Sequence, residues 1–299
     1  MLGASTCWRS GSITGGIELA REMARLGLGA LELDFRLSSS TLKQLLAECG
    51  PLGMSVVSIH GVCPHAGAGA GELSDKDGRL RANAVSGVIK TIELAAETGA
   101  RAVVIHCGGA PMEKVTLELQ NMYDAGLAGS AEYLKLLNGF RIERLKRRGT
   151  DIDRLLLSLD RINEAAEKAG VDVGLENRYY LREYPGFEEM AVILFRMAGS
   201  RIKYWHDAGH AQVQQNLGIV PHEAWLKEFS GELIGVHLHG VDGYTDHNSP
   251  CVKGHEDVDY NMLAKYLKPE TIRIIELRTD VTPGQALSGI EYLKTRGVA

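Results

Sequence analysis

Short apolar runs alternate with amphipathic, glycine-terminated stretches along the whole of this 299-residue chain, and that alternation restricts the fold more than any other feature. The runs that read as strands are Leu2–Cys7, Ala30–Phe35, Met54–His60, Arg101–His106, Val171–Glu176, Ile202–Asp207, Leu233–His239 and Thr271–Leu277. Between them apolar residues recur at helical spacing, as Ile17, Leu19, Ala20, Met23, Ala24 and Leu26 do before Gly27 stops the pattern. Strict alternation of strand and helix implies an α/β fold with a parallel sheet. Eight such units in a chain of this length suggest one closed (β/α)8 barrel spanning residues 1–299. An open, doubly wound sheet is the alternative. It calls for a glycine-rich phosphate turn after the first strand, and Gly15-Gly16 does not match Gly-x-Gly-x-x-Gly. No nucleotide cofactor is therefore expected.

One connection departs from the rhythm. Cys107–Lys168 has no strand-like run, and helical periodicity fits Glu113–Asp124, Ser130–Arg147 and Asp151–Lys168. An enlarged helical insertion, residues 108–150, is expected after strand four. Further helices are expected at Ser74–Thr98, Phe187–Ala198, Gly209–Asn216, His222–Phe229, Tyr260–Leu267 and Pro283–Lys294. Gly61–Gly71 and the polar stretch Gly240–Asp257 read as loops.

Composition narrows the function. A net charge of −5 makes nucleic acid an unlikely partner. Five cysteines without a Cys-x-x-Cys pair, and a start lacking a basic n-region, suit a reduced cytoplasmic protein. No apolar run is long enough to span a membrane. The basic stretch Arg141–Arg148 reads as a solvated helix face, with an oligomer or anion contact as the alternative. The extra helices offer a possible homo-oligomer interface.

Chemistry enters through the strand endings. Six runs finish on a ligand-type side chain: His60, His106, Glu176, Asp207, His237 and Glu276. In a barrel of this type active sites sit at the C-terminal ends of the strands. Glu176, Asp207, His237 and Glu276, from strands five to eight, form a set of three carboxylates and one imidazole. That set suits Mn²⁺ or Zn²⁺, with Co²⁺ or Mg²⁺ also possible. Without a cation the three carboxylates would repel and their pKa values would rise. His60, His106, His210 and His247 line the other half of the opening, as a second metal site or a substrate-binding set. His239 follows His237 by two and points to the same side of the strand. His65, His206, His222 and His255 read as surface or loop histidines. Trp8, Trp205 and Trp225 fit either core or pocket wall. Asp207-Ala208-Gly209-His210 reads as a carboxylate at a strand end, a glycine for a tight turn, and a histidine in the first turn beyond it.

Taken together, His60, His106, Leu175-Glu176-Asn177, Asp207-x-x-His210, Val236-His237-Leu238-His239, His247 with Gly254–Asp259, and Ile275-Glu276 resemble the xylose isomerase-like TIM-barrel superfamily. That group includes sugar (phosphate) isomerases and epimerases and also endonuclease IV. The resemblance runs from strand two to the C-terminus. It implies that Glu176, Asp207, His237 and Glu276 are the shared metal ligands. It also implies that His60, His106, His210 and His247 match positions completing a multinuclear zinc cluster in the endonuclease branch. Two features depart from that branch. Thr245 stands where its Asp-x-His pattern has Asp, with Asp246 adjacent, and its Gly-Glu-Gly turn reads Gly254-His255-Glu256.

The expected function is a metal-dependent isomerase or epimerase of a small sugar or sugar phosphate. Glu176 and Glu276 would act as paired general base and acid, moving a proton through an enediolate stabilised by the metal. His210, with Arg178 or Arg278, would hold a substrate oxygen or phosphate. The alternative is an endonuclease IV-like zinc phosphodiesterase acting at apurinic sites. A ligand-binding barrel without chemistry is a third reading, disfavoured because all four central ligands are present.

Overall fold

The computed structural model describes residues 1–65, 71–112, 116–251 and 258–299. Its strands in chain order are β1 (Leu2–Ser5), β2 (Ala30–Leu33), β3 (Ser55–His60), β4 (Ala102–Ile105), β5 (Asp172–Glu176), β6 (Ile202–Asp207), β7 (Leu233–Leu238), β8 (Gly240–Asp242), β9 (Thr245–Asn248) and β10 (Ile272–Ile275). All but β8 and β9 pair in parallel around a closed ring, β10 returning to β1. The helices are α1 (Cys7–Ser10), α2 (Gly16–Ala24), α3 (Ser39–Cys49), α4 (Gly78–Thr98), α5 (Thr116–Asp124), α6 (Ala131–Arg148), α7 (Asp151–Ala169), α8 (Phe187–Arg196), α9 (Ala208–Asn216), α10 (His222–Phe229), α11 (Tyr260–Ala264) and α12 (Pro283–Thr295). This is the (β/α)8 barrel that the alternation implies. Observed strands are mostly a residue or two shorter than the apolar runs, because inward-facing residues at the ends leave the hydrogen-bonded ladder before they leave the interior.

Side-chain size explains how the ring closes over a filled interior. Trp205 on β6 points inward among Ala102, Val104, Ile272 and Ile274. Its indole needs the room left by glycines on both neighbouring strands. A Cβ on Gly235 would lie 2.1 Å from the ring, and one on Gly174 would lie 2.9 Å from the tryptophan Cβ. Trp225 belongs to the layer between sheet and helices, where it stacks on Tyr204 and meets Phe187 and Phe229. Trp8 is buried just beyond the C-terminal end of β1 and donates to the Val281 carbonyl at 2.8 Å.

The β4–β5 connection carries α5 and α6 ahead of the regular α7. Its basic stretch is solvated only in part, at Lys146 and Arg147. Arg144 is buried and donates through both terminal nitrogens to Glu189 at 2.6 Å, and Arg148 reaches the same carboxylate at 3.1 Å. Arg141 donates to the Ile219 carbonyl at 2.7 Å. Bidentate pairing offsets the cost of burying a guanidinium. Arg141, Arg144 and Arg148 thus reach toward the barrel, while Lys135, Lys146 and Arg147 are exposed, as are Leu134, Ile142 and Leu145.

The segment after β7 also differs from the loop that its polarity suggests. β8 and β9 form an antiparallel hairpin over the barrel mouth. Two strands so short and polar show no apolar alternation. α1 is likewise too short to show a period. Among the described residues no helix is long and apolar enough to cross a membrane.

Candidate metal centre

Four strands deliver the central side chains. Glu176 ends β5, Asp207 ends β6, His237 lies one residue short of the end of β7, and Glu276 directly follows β10. All four are buried, and one ligand atom from each lies within 4.8 Å of the others. His237 Nδ1 faces the carboxylates, 2.8 Å from Glu176 Oε1, 3.1 Å from Glu276 Oε2 and 3.7 Å from Asp207 Oδ2. Trp205, two residues before Asp207 and so on the same face of β6, floors the cluster with its ring centroid 5.1 Å from that of His237.

Asp207 is held from several directions. Its Oδ1 caps α9 by accepting the His210 N–H at 2.6 Å, and it also accepts from His239 Nε2 at 3.0 Å. His239 Nδ1 accepts the His247 N–H at 2.8 Å, so the proton of that ring resides on Nε2. Gly209 serves this contact, not a tight turn. It lies within α9, and a Cβ there would come 1.9 Å from the His239 ring.

The carboxylates are not pushed up by mutual repulsion. Burial raises the Glu176 carboxyl, but Arg178 beside it, with hydrogen bonds from His106 and His237, holds it well below the usual range. Burial likewise opposes ionisation of Glu276 and Asp207. His237 and His60 outweigh it at the first, and His210 and His239 at the second. Burial lowers the proton affinity of His237, but Glu276 and Glu32 raise it well above the ordinary imidazole value. An imidazolium therefore sits where the negative charge converges, and it does electrostatically part of what a dication would do.

Two satellite groups around the opening share residues with the centre, His60 with His106 and Glu176, and Asp207 with His210 and His247; a third, Glu32 with His60 and His237, shares His237. His60 Nε2 is 2.9 Å from His106 Nε2, which is 3.0 Å from Glu176 Oε2. The desolvation of a ring crowded by its neighbours, with the Arg178 charge, holds His106 down to about 4, although its side chain is 38% exposed at the mouth. His210 Nδ1 donates to the Asn177 carbonyl at 3.0 Å, which turns Nε2 toward Asp246, 3.6 Å away. His247 adopts a left-handed backbone (φ 57°) that a non-glycine residue seldom takes, and its ring stacks on His239 at 4.1 Å.

Arg178 pairs with Glu176 and lies 2.8 Å from His106 Nε2. A cavity of about 250 Å³ opens beside these two residues, with Asn83, Arg182 and Glu183 on its walls. Arg278 stands apart. It pairs with Asp280 at 2.7 Å, half-exposed, and only its N–H touches the rim, donating to the His247 carbonyl.

Other residues sit where the sequence did not place them. His206 and His222 are buried, not on the surface, with their Nε2 atoms 3.0 Å apart. They form a neutral chain: Tyr204 O–H to His206 Nδ1, His206 Nε2–H to His222 Nε2, His222 Nδ1–H to Gln212 Oε1. A barrel strand is covered on both faces, so its outward histidine is buried too. His65 is exposed. His255, and with it the Gly254-His255-Glu256 turn, lies outside the described residues. Glu32 on β2 was missed. It is fully buried and 3.0 Å from His237 Nε2. The signal was present in the inward parity of Glu32 along β2, but this residue lies inside a run and not at its end.

The donor set fits a divalent cation on its own chemistry: three carboxylates and an imidazole nitrogen, buried and convergent. Glu276 Oε2 and His60 Nδ1 are also buried without a hydrogen-bond partner, lone pairs that a cation and its ligands would satisfy.

A family model described as a xylose isomerase-like TIM barrel matches residues 20–296. No curated protein matches the chain. Among solved structures, the fold is similar to a D-tagatose 3-epimerase-like protein (TM-score 0.70, 20% identity, covering 99% of this chain and 96% of that one). It is also similar to an L-ribulose 3-epimerase (0.70, 14%, 99% and 94%). A third is a 3-keto-D-glucoside 4-epimerase from E. coli (0.68, 16%, 98% and 98%). At these identities the likeness is one of fold.

Proposed function

The chain belongs to the xylose isomerase-like TIM-barrel family, and from that premise we propose that it is a divalent-metal-dependent isomerase or epimerase of a sugar or sugar phosphate. The observation that carries the proposal is the placing of Glu176 and Glu276, one from each flank, against His237 Nδ1 at 2.8 and 3.1 Å. The names of the similar folds, epimerases of tagatose, ribulose and a keto-glucoside, support the same reaction class.

Glu176, Asp207, His237 and Glu276 would hold the ion. When bound, a dication supplies Lewis-acid polarisation of a substrate carbonyl and its neighbouring hydroxyl. The chain supplies the proton transfer. Arg178 keeps Glu176 ionised, which suits it to take the proton from the substrate carbon. Glu276, on the opposite flank, would deliver a proton to the carbon of the resulting enediolate after taking one up from solvent, which requires that the His237 imidazolium holding it ionised first lose its proton as a cation binds. Delivery at the same carbon from the other face inverts its configuration, and delivery at the adjacent carbon isomerises the sugar. His106 and Arg178, at the edge of the cavity, donate to substrate oxygens. Trp205 closes the floor and keeps bulk water from beneath the reacting carbon.

The test is solvent deuterium incorporation at the carbon beside the carbonyl of ketohexoses, with Mn²⁺-supplied protein. Wild type should exchange and form product, Glu176→Gln should lose exchange and Glu276→Gln should lose product formation, each by at least about a hundredfold. Exchange that survives in Glu176→Gln, or product formation that survives in Glu276→Gln, rules the mechanism out.

One observation favours a second reading, a zinc phosphodiesterase. The two satellite groups are formed, and Asp246 lies 3.6 Å from His210 and 3.8 Å from His247, where it stands in for the acid absent at Thr245. Three zinc ions per chain, with salt-sensitive incision of abasic duplex DNA, would establish that reading over the first.

A further inference from the structure

Glu32 has no part in the chemistry above, yet it is among the most deeply buried acids of the chain. Its two oxygens lie 3.0 and 3.2 Å from His237 Nε2, and Oε2 also accepts the Ser58 hydroxyl at 2.8 Å. Among the described residues His237 is its one ion-pair partner. The two nitrogens of that ring thus face opposite demands: Nε2 meets Glu32, and Nδ1 meets Glu176, Glu276 and Asp207.

Packing does not settle which nitrogen keeps the proton. The rings of His60 and Trp205, 5.0 and 5.1 Å away, hold the plane of the imidazole but act on both nitrogens alike. A carboxylate only accepts, so both nitrogens face acceptors; when a cation takes the place of the Nδ1 proton, Glu32 holds the remaining proton on Nε2 and the Nδ1 lone pair is free for the ion. We propose that Glu32, steadied by Ser58, is a positioning residue that fixes His237 in the Nε2–H tautomer and thereby sets the affinity of the cluster for a divalent cation. The proposal rests on the metal-centre reading and adds to it a residue outside the four central side chains.

A competing role exists. Glu32, His60 and His237 offer ligand atoms close enough to bind an ion themselves. That use would need a lone pair on His237 Nε2, leaving the ring proton on Nδ1 among three carboxylates. Neutral His237 cannot serve both sites, and the set with three carboxylates is the stronger one.

The test is Zn²⁺ titration of metal-free full-length protein, with long-range ¹H–¹⁵N spectra of the zinc-loaded form. Glu32→Ala should weaken zinc binding about 10–100-fold with unchanged stoichiometry. Glu32→Gln, which keeps an acceptor oxygen, should recover part of that loss. Wild type should show His237 protonated on Nε2 with that proton shifted downfield by its carboxylate acceptor, and Glu32→Ala should lose the downfield shift. If Glu32→Ala does not fold, Glu32→Gln and Ser58→Ala carry the comparison, each with a smaller loss in the same direction. Zinc affinity of the variants within about threefold of wild type overturns the proposal, as does loss of one zinc equivalent in Glu32→Ala, which would make Glu32 a ligand. A wild-type protein that binds no zinc and no Mn²⁺ instead overturns the metal centre itself.

Discussion

Asn177 grips both backbone groups of Asp207: its Oδ1 accepts the Asp207 N–H at 2.8 Å, and its Nδ2 donates to the Asp207 carbonyl at 2.9 Å. The residue after one ligand thus sets the main chain of the next. Asn177→Ala leaves two buried backbone groups unsatisfied, at about 1–3 kcal/mol each. Thermal or urea unfolding should register a loss on the order of 2–5 kcal/mol. Asn177→Asp should also be destabilised, since its second oxygen cannot donate to the carbonyl. A loss below about 1 kcal/mol in Asn177→Ala would deny the clamp.

Gly209→Ala is expected to destabilise, although alanine is the better helix former. Its Cβ would come 1.9 Å from the His239 ring, which is packed against Asp207 and His247 and cannot swing aside freely. Overpacking of this kind costs about 1–3 kcal/mol. A Gly209→Ala variant as stable as wild type, with unaltered metal affinity, would refute the contact.

Acid should weaken the fold before the carboxylates titrate. Burial holds His222 down to about 4 and moves His206 the same way, whereas an unfolded histidine titrates near 6.5. In that window the unfolded chain takes up protons that the folded chain refuses, so stability falls as pH falls from about 6.5 toward 4. Proton NMR should find the His222 ring neutral at pH 5. A ring that titrates near its ordinary value would contradict this.

Metal affinity should rise with pH. Glu276 and Glu32 outweigh burial and keep His237 protonated well above its ordinary range, so a cation at Nδ1 must first displace a proton. Calorimetry of Mn²⁺ binding in buffers of different ionisation enthalpy should reveal proton release near neutral pH. No release would place the ligand atoms elsewhere.

The barrel and the four side chains that converge at its mouth were legible because a strand buried on both faces reads as an unbroken apolar run, so the polar residue that ends it stands out. Asp207 and Glu276 were visible on that ground alone. Glu32 was not, because an inward carboxylate inside a run looks like ordinary alternation. His206 was misread by treating the outward face of a barrel strand as solvent. The docking of α6 was hidden because Arg144 finds Glu189 far along the chain, and no local pattern marks a cation that will be buried by pairing. The hairpin β8–β9 gave no sign because its order comes from contacts such as Asn216 to the Gly243 carbonyl, not from its own composition.

Elemental analysis of the purified protein, beside an Asp207→Ala variant, tests the central claim most directly. Wild type should carry at least one equivalent of manganese or zinc per chain, and Asp207→Ala should carry markedly less. A wild-type protein without metal after growth in supplemented medium, or equal metal in both proteins, would contradict it.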